Sequence, residues 1–208
     1  MHHNSCRKRP IRSEPRHLRP SDPSIDRSPV LIAQLGPAHR GLINAHLLAL
    51  SAEDRRLRFG HAISDASIAR YVRNLRFVRD AAFGAFDDTN RLLGFGHLAF
   101  GSDGAEFAIS VDQSARAQGI GLALLKRASV HARNRGCELL AMLYMTENAS
   151  LASLARRAGM QIACDPIECR AYIGLKPPTA RSLLAEAWRE SLAALDLGFR
   201  QAAFSTSA

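Results

Sequence analysis

The sequence predicts an α/β domain, a sheet with helices packed on its faces. Two observations carry this. Short apolar segments of strand type are interleaved with longer segments of helical periodicity, in the order β-α-α-α-β-β-β-α-β-α-β-β-α. The chain has 208 residues, 47% of them hydrophobic, which is enough for one core. No stretch approaches the roughly 18 consecutive apolar residues of a membrane span.

Each element has a local reason. Val30–Leu35 is apolar and closes at Gly36-Pro37, reading as a first strand. In 38–49, Leu42, Ala45/His46 and Ala49 fall on one helical face. Ser51, with Asp54 three positions on, is a helix cap for a second helix through Phe59, which Gly60 ends. Ser64 and Asp65 open a third, carrying Ile68, Tyr71/Val72 and Leu75. Asp80–Phe86 and Leu92–Phe100 read as strands joined by the turn-forming Asp87-Asp88-Thr89-Asn90, and Gly101–Gly104 turns into Ala105–Val111. A helix is predicted over Gly119–Arg135, stopped by Gly136. Glu138–Tyr144 is a short buried strand, Asn148–Ala158 a helix ended by Gly159, and Met160–Ala163 and Ile167–Ile173 the last strands. After Pro177-Pro178, an apolar stripe of Leu184, Trp188, Leu192 and Leu195 recurs at helical spacing.

The expected organisation is a disordered basic arm over 1–28, a domain over 29–176, and a C-terminal helix and tail over 177–208. The arm holds Pro10, Pro15, Pro20 and Pro23 among many arginines and few apolar residues. The formal net charge is +9, nearly all from arginine. A basic surface attracts nucleic acid, anionic membranes or polyphosphate cofactors. No recognition helix with interleaved aromatics accompanies the charge, so nucleic acid is not the expected partner. The first thirty residues hold no apolar run of secretory type, and a cytoplasmic place is expected. Cys6, Cys137, Cys164 and Cys169 form no C-x-x-C pair, and His46, His61, His97 and His131 have no metal spacing. No metal site is expected, and the cysteines read as reduced, buried thiols.

The chemistry concentrates at Val111-Asp112-Gln113-Ser114-Ala115-Arg116-Ala117-Gln118-Gly119-Ile120-Gly121-Leu122. A strand ends, a polar loop follows, and a helix opens at glycines. Helix N-termini offer unpaired N–H groups and about half a positive charge, and glycines let an anion come close. Arg116 can bridge phosphate oxygens. A Walker loop would need Lys-Ser/Thr where Leu122-Ala123 stand, and the dinucleotide fingerprint would need a glycine at Leu124.

Arg116-Ala117-Gln118-Gly119-Ile120-Gly121 resembles the acetyl-CoA signature Gln/Arg-x-x-Gly-x-Gly/Ala of the GCN5-related N-acetyltransferase (GNAT) family. Asn148 and Gly159-Met160 stand where that family has an asparagine after the next strand and a helix ending in Gly-Phe. The resemblance spans roughly Val30 to Ile173. A narrower likeness, in Ala105–Val111 and Leu50–Phe59, is to bacterial protein lysine acetyltransferase domains. The resemblance implies a single GNAT-like domain, with a mixed, mostly antiparallel sheet, a splayed central strand pair and helices on both faces.

It also implies acetyl-CoA as cosubstrate, its pyrophosphate on Arg116, Ala117, Gln118, Gly119, Ile120 and Gly121. Backbone groups around Ile109, Ser110 and Val111 would pair with the pantetheine, and the splay would sit near Tyr144 and Met145. Asn148 would hydrogen-bond the pantetheine or act as a plain helix cap. The reaction implied is direct acetyl transfer to a primary amine, on a protein lysine or a small molecule. Such an amine has a pKa of ~10.4 and needs a base. Alternation along Ala105–Val111 puts Glu106, Ala108 and Ser110 opposite Phe107, Ile109 and Val111, so Glu106 is the candidate base, facing the acceptor. Many members place a tyrosine seven residues after the asparagine, as acid for the leaving thiolate; here that position is Ala155. Tyr144 stands as an alternative acid or a packing residue, and His97 as a second base or a core histidine. Arg55, Arg56, Arg58, Arg70, Arg73 and Arg76 mark the acceptor side as suited to an acidic protein or small anionic molecule. A polycation would fit only if Asp54, Asp65 and Glu53 cluster. Two other readings stay open: a non-catalytic acyl-CoA sensor, and a nucleic-acid module using the basic arm. The C-terminal helix is expected to pack on its own core or to form a homodimer.

Overall fold

The computed structural model describes residues 30–205 apart from residue 103. The basic arm over 1–28 lies outside the described residues. The strands are β1 (Leu31–Leu35), β2 (Ala81–Phe86), β3 (Leu92–Gly101), β4 (Gly104–Val111), β5 (Leu139–Met145), β6 (Gln161–Cys164) and β7 (Glu168–Gly174). The α-helices are α1 (Arg40–Ala49), α2 (Ala52–Phe59), α3 (Asp65–Arg73), α4 (Ile120–Asn134), α5 (Ala149–Arg157) and α6 (Ala180–Ser205). The sheet order is β1-β2-β3-β4-β5-β7-β6. Every neighbouring pair is antiparallel except β4 and β5, which run parallel.

Period-two alternation sorts the sheet onto two cores. Phe83, Leu98, Phe107, Ile109, Leu140 and Met142 point to the face covered by α4 and α5. Phe86, Phe95 and Leu92 point the other way, against Ile43 and Leu47 of α1 and Ile68 and Val72 of α3. Fully burying a Phe or Leu contributes about 1.5–3 kcal/mol. Two cores therefore clamp β2, whose six residues are all buried. Gly96 makes one contact possible: a Cβ there would lie 2.6 Å from the Phe107 ring. The helix starts read from the sequence are in place. Ser51 accepts from the Asp54 N–H and Ser64 from the Ser67 N–H, and Gly60 ends α2 in the left-handed region at φ 78°.

β4 and β5 pair only at Ala105↔Leu140 and Glu106↔Ala141. Beyond that rung the strands part, so the ladder has ended well before Tyr144 and Met145, where the splay was expected. α2 contacts both arms of this fork and buries none of its own residues.

The packing of the C-terminal helix, left open by the sequence, is resolved in part, and the reading of the thiols is corrected. The α6 stripe faces outward: Leu184, Trp188, Leu192 and Leu195 are 51–73% exposed. The helix docks by its opposite face instead, through Ala193, Leu197 and the buried Glu186. Glu186 takes hydrogen bonds from Arg127 (2.6 Å), His131 (2.8 Å) and Asn134. Periodicity identified the helix, but a buried polar cluster decided its facing. Burial alone would push the Glu186 carboxyl up, yet these donors outweigh it and hold it at about 2. His131, Glu186 and Glu190 are near enough together to hold a metal ion. Arg127, however, donates to both carboxylates, at 2.6 and 2.7 Å, and supplies the cation itself.

The correction concerns the thiols. Cys164 and Cys169 stand opposite one another across the β6–β7 hairpin, with Cα atoms 4.0 Å apart, and are joined as a disulfide. Cys137 is free and half-buried.

Candidate active site

The fork between β4 and β5 continues into a cleft of about 570 Å³, walled by Ile109–Val111, the loop after β4, the first turn of α4, and α5. Of the anticipated ligand residues, Ile109, Ser110, Val111, Arg116, Ala117, Gly119, Ile120, Gly121 and Asn148 line it. Gln118 does not; its Nε2 donates to the Ser114 carbonyl at 3.2 Å and braces the loop.

The loop geometry suits an anion. Ala117 (φ 61°) and Gly119 (φ 85°) are both left-handed, and no side chain caps α4 at Gly119. The N–H groups of the first turn therefore stay available. At Asp112, burial pushes the carboxyl up, but the Ser114 N–H and Arg91 outweigh it and hold it at about 2. Arg116 extends to Asp54 at 2.6 Å, so the loop is clipped to α2. A second clip joins α2 to the far arm of the fork, Arg56 to Glu147 at 2.6 Å.

Asn148 has both anticipated positions at once. Its side chain accepts from the Leu151 N–H at 3.1 Å, capping α5, and it lines the cleft. Tyr144 is 3% exposed, does not line the cleft, and its hydroxyl has no partner among the described residues; burial raises its pKa. It packs. Ala155 is wholly buried.

Glu106 occupies the last rung of the β4–β5 ladder, exposed, on the α1–α3 side. It stands at the closed end of the fork rather than in the cleft wall. The acids once weighed as a cationic-acceptor site do not cluster. Asp54 is paired with Arg116, Asp65 with Arg55 (2.5 Å) and Glu53 with Arg56 (2.8 Å).

Sequence reasoning missed several neighbours. His46 of α1 is buried; its Nδ1 faces the Leu92 carbonyl (3.2 Å) and its Nε2 the Ser110 hydroxyl (2.9 Å). The carbonyl can only accept, so Nδ1 carries the proton and Ser110 donates to Nε2. Burial lowers the His46 pKa, which agrees with a neutral ring. His97 is likewise lowered by burial and by Arg58. These partners lie 46 and 64 residues apart in the chain, and no local pattern announces them.

Solved structures with this architecture are numerous. The GNAT domain of the Streptomyces lividans protein PAT superposes with a TM-score of 0.62 at 18% identity, covering 70% of this chain and 90% of that one. The ribosomal-protein-S18-alanine N-acetyltransferase of Escherichia coli gives 0.56 at 17% identity, covering 73% and 97%. A putative acetyltransferase of Salmonella typhimurium, solved with its cofactor acetyl-CoA, gives 0.55 at 14% identity, covering 74% and 98%. At these identities the likeness is one of fold. Among curated proteins, none matches the sequence. Residues 47–160 match the Acetyltransferase (GNAT) family, whose cosubstrate is acetyl-CoA. That match spans more than half of the chain and includes the cradle, the fork and α5, and the chain belongs to the GNAT acetyltransferase family.

Proposed function

We propose that this protein transfers the acetyl group of acetyl-CoA directly to a primary amine, with Glu106 as the base. One observation carries the reading: the β4–β5 ladder stops at Glu106↔Ala141, which puts a carboxylate with no ion pair among the described residues at the apex of an open fork with an anion cradle at its mouth. Arg116 and the first turn of α4 would take the pyrophosphate. The unpaired edge of β4 from Ile109 to Val111 would take the pantetheine and offer an N–H to the thioester oxygen. Glu106 would remove a proton from the acceptor nitrogen.

Charge supports an anionic environment around that amine. Arg70, Arg73 and Arg76 are exposed on and just after α3, with no ion pair among the described residues, whereas the nearby acids are already neutralised. A lysine within an acidic protein segment fits best, followed by a small amine that also carries an acid. Residues 29–176 form the transferase domain in this reading. The outward stripe of α6 would seat a second copy, which sedimentation at rising concentration checks.

A second reading has its own observation. Ala155 is buried where many relatives carry the acid tyrosine, and Tyr144 does not replace it, as an acyl-CoA sensor without turnover would show. Two measurements decide. Acetyl-CoA should raise the melting temperature by mass action, and thiol release should follow addition of lysine peptides or small amines. Glu106→Gln should keep the thermal shift and lose turnover about a hundredfold. A shift with no thiol release from any amine would favour the sensor; no shift with acetyl-CoA would defeat both readings.

A further inference from the structure

Beside Glu106 runs a chain of polar groups that the acetyl-transfer scheme does not yet use. Arg58 of α2 donates to the Tyr71 hydroxyl at 3.2 Å. That hydroxyl lies 2.9 Å from His97 Nδ1, and His97 Nε2 lies 3.5 Å from an Asp80 carboxylate oxygen. A carboxylate only accepts, so it selects the tautomer with the proton on Nε2. Nδ1 is then bare and receives the Tyr71 O–H. Both hydrogen bonds run one way, Arg58 to Tyr71 to His97, and the Asp80 carboxylate faces the other ring nitrogen as a charge contact rather than a hydrogen bond. Edge contacts of Tyr71 with Phe59 (5.4 Å) and with His97 (5.8 Å) fix the phenol. The ladder pairs His97↔Ala108 and Ala99↔Glu106 make His97 and Glu106 diagonal neighbours on one face. Arg58 itself lines the cleft.

The chemistry needs a second proton acceptor. An amine at neutral pH arrives as ammonium and loses two protons on becoming an amide. One ends on the coenzyme sulfur and one in water. A single carboxylate holds only one at a time. With Ala155 in place of an acid and Tyr144 outside the cleft, the scheme gives the sulfur the nitrogen's second proton, with Glu106 as its carrier. Resting on the acetyl-transfer reading, we infer that Tyr71, backed by His97 and Asp80, takes the ammonium's proton and leaves Glu106 free for the second.

The steps balance. An N–H bond of the ammonium breaks and its proton goes to the Tyr71 oxygen, while the phenol's own proton crosses to His97 Nδ1. The imidazolium faces Asp80 and later loses its proton to water. The freed lone pair forms the C–N bond and the carbonyl electrons move to oxygen. On collapse the C=O re-forms and the C–S pair leaves with sulfur. Glu106 takes the second nitrogen proton and passes it to that sulfur. Tyr71 touches substrate in this scheme; His97 and Asp80 are positioning residues. The charged and titratable groups facing His97 are Tyr71 from α3, Arg58 from α2, Asp80 before β2 and Glu106 from β4. Burial and Arg58 keep its ring neutral at rest, which leaves Nδ1 bare, and Asp80 opposes their effect by favouring the imidazolium.

The test compares turnover of a lysine peptide flanked by aspartates between pH 6.5 and 10, in wild type, Tyr71→Phe, His97→Gln and Glu106→Gln. Phenylalanine keeps the ring contacts and removes only the hydroxyl. Tyr71→Phe and His97→Gln should lose roughly tenfold in kcat at pH 6.5, within the range of a general base, and recover toward wild type near pH 10, where roughly a quarter of the amine arrives already deprotonated against about one part in ten thousand at pH 6.5. Glu106→Gln should stay slow throughout. An equal loss at both ends of the range, or no loss in Tyr71→Phe, overturns the relay while leaving acetyl transfer intact. A wild type that binds acetyl-CoA but acetylates nothing overturns both.

Discussion

Arg116 of the cofactor loop and Asp54 of α2 form an ion pair at 2.6 Å, and the same carboxylate accepts from the Ser51 hydroxyl at 2.7 Å. The guanidinium expected on the pyrophosphate is therefore engaged by α2. Asp54 is 18% exposed and Arg116 40%, so the pair is partly screened and worth no more than about 1 kcal/mol. A pyrophosphate offers more charge and more oxygens, and the cofactor should win the competition.

Removing each partner should then act in opposite directions. Arg116→Ala should weaken acetyl-CoA binding by roughly ten- to a hundredfold, the loss of a charged hydrogen bond. Asp54→Asn should tighten it by roughly two- to fivefold, since the arginine no longer has to be freed. Titration calorimetry at constant ionic strength reads both. Weaker binding in Asp54→Asn would mean that Asp54 orders Arg116 for the phosphate rather than competing with it.

The two glycines of the cradle should respond differently to alanine. Gly119 is left-handed at φ 85°, and although a Cβ would meet open space, that conformation costs an L-residue about 1–2 kcal/mol. At Gly121 a Cβ would sit 3.6 Å from Leu154 in ordinary contact, within a helix that favours alanine by up to about 1 kcal/mol. Gly119→Ala should lower the melting temperature and weaken acetyl-CoA binding. Gly121→Ala should hold or raise the melting temperature. Equal melting temperatures for the two variants would contradict the strained turn.

Much of this site was legible because its signals are local. Ser51, Ser64, Gly60 and Asn148 announce helix ends within three or four residues, and the Gly119–Gly121 pair opens a helix directly after a strand. The alternation along β4 oriented Glu106 without any tertiary knowledge. What escaped is long-range. His46 meets Ser110 across 64 residues, Tyr71 meets His97 across 26, and Arg127 meets Glu186 across 59. Each is set by packing of helices on the sheet, which periodicity does not encode. The α6 stripe stayed undecided for the same reason: 3.6-residue spacing marks a face, not its neighbour.

Two histidines fixed neutral by burial make stability sensitive to mild acid. His46 and His97 both have folded pKa values below 6.5, so the unfolded chain binds protons first as pH falls. The two histidines' contribution should be constant above about pH 7.5 and decline from about pH 6.5 downward, through the lowered folded values. His46→Gln should lower the melting temperature at pH 7.5, because Ser110 and Leu92 lose their partner, yet flatten the slope between pH 7 and 5. A slope in that window unchanged by the substitution would remove His46 as its source.

Below that window a carboxylate takes over. Glu186 is held at about 2, against 4.5 for the unperturbed group, by His131, Arg127 and Asn134. Its folded pKa is depressed, so its stabilisation is complete above pH 4.5 and is lost as pH falls toward about 2. With only 9% of the side chain exposed, the effect is on the order of 3 kcal/mol. Glu186→Gln leaves Arg127, itself 9% exposed, with only the more exposed Glu190 as counter-charge, so the cost should fall below the about 3–5 kcal/mol of a fully broken buried pair. Because the cluster joins α4 to α6, that loss should appear as detachment of α6, with faster amide exchange at Ala193 and Leu197 than in β2. Melting curves of wild type and variant should converge as pH drops from 5 toward 3, since the wild type then loses what the variant already lacks. Parallel curves across that range would show that Glu186 does not carry the acid response.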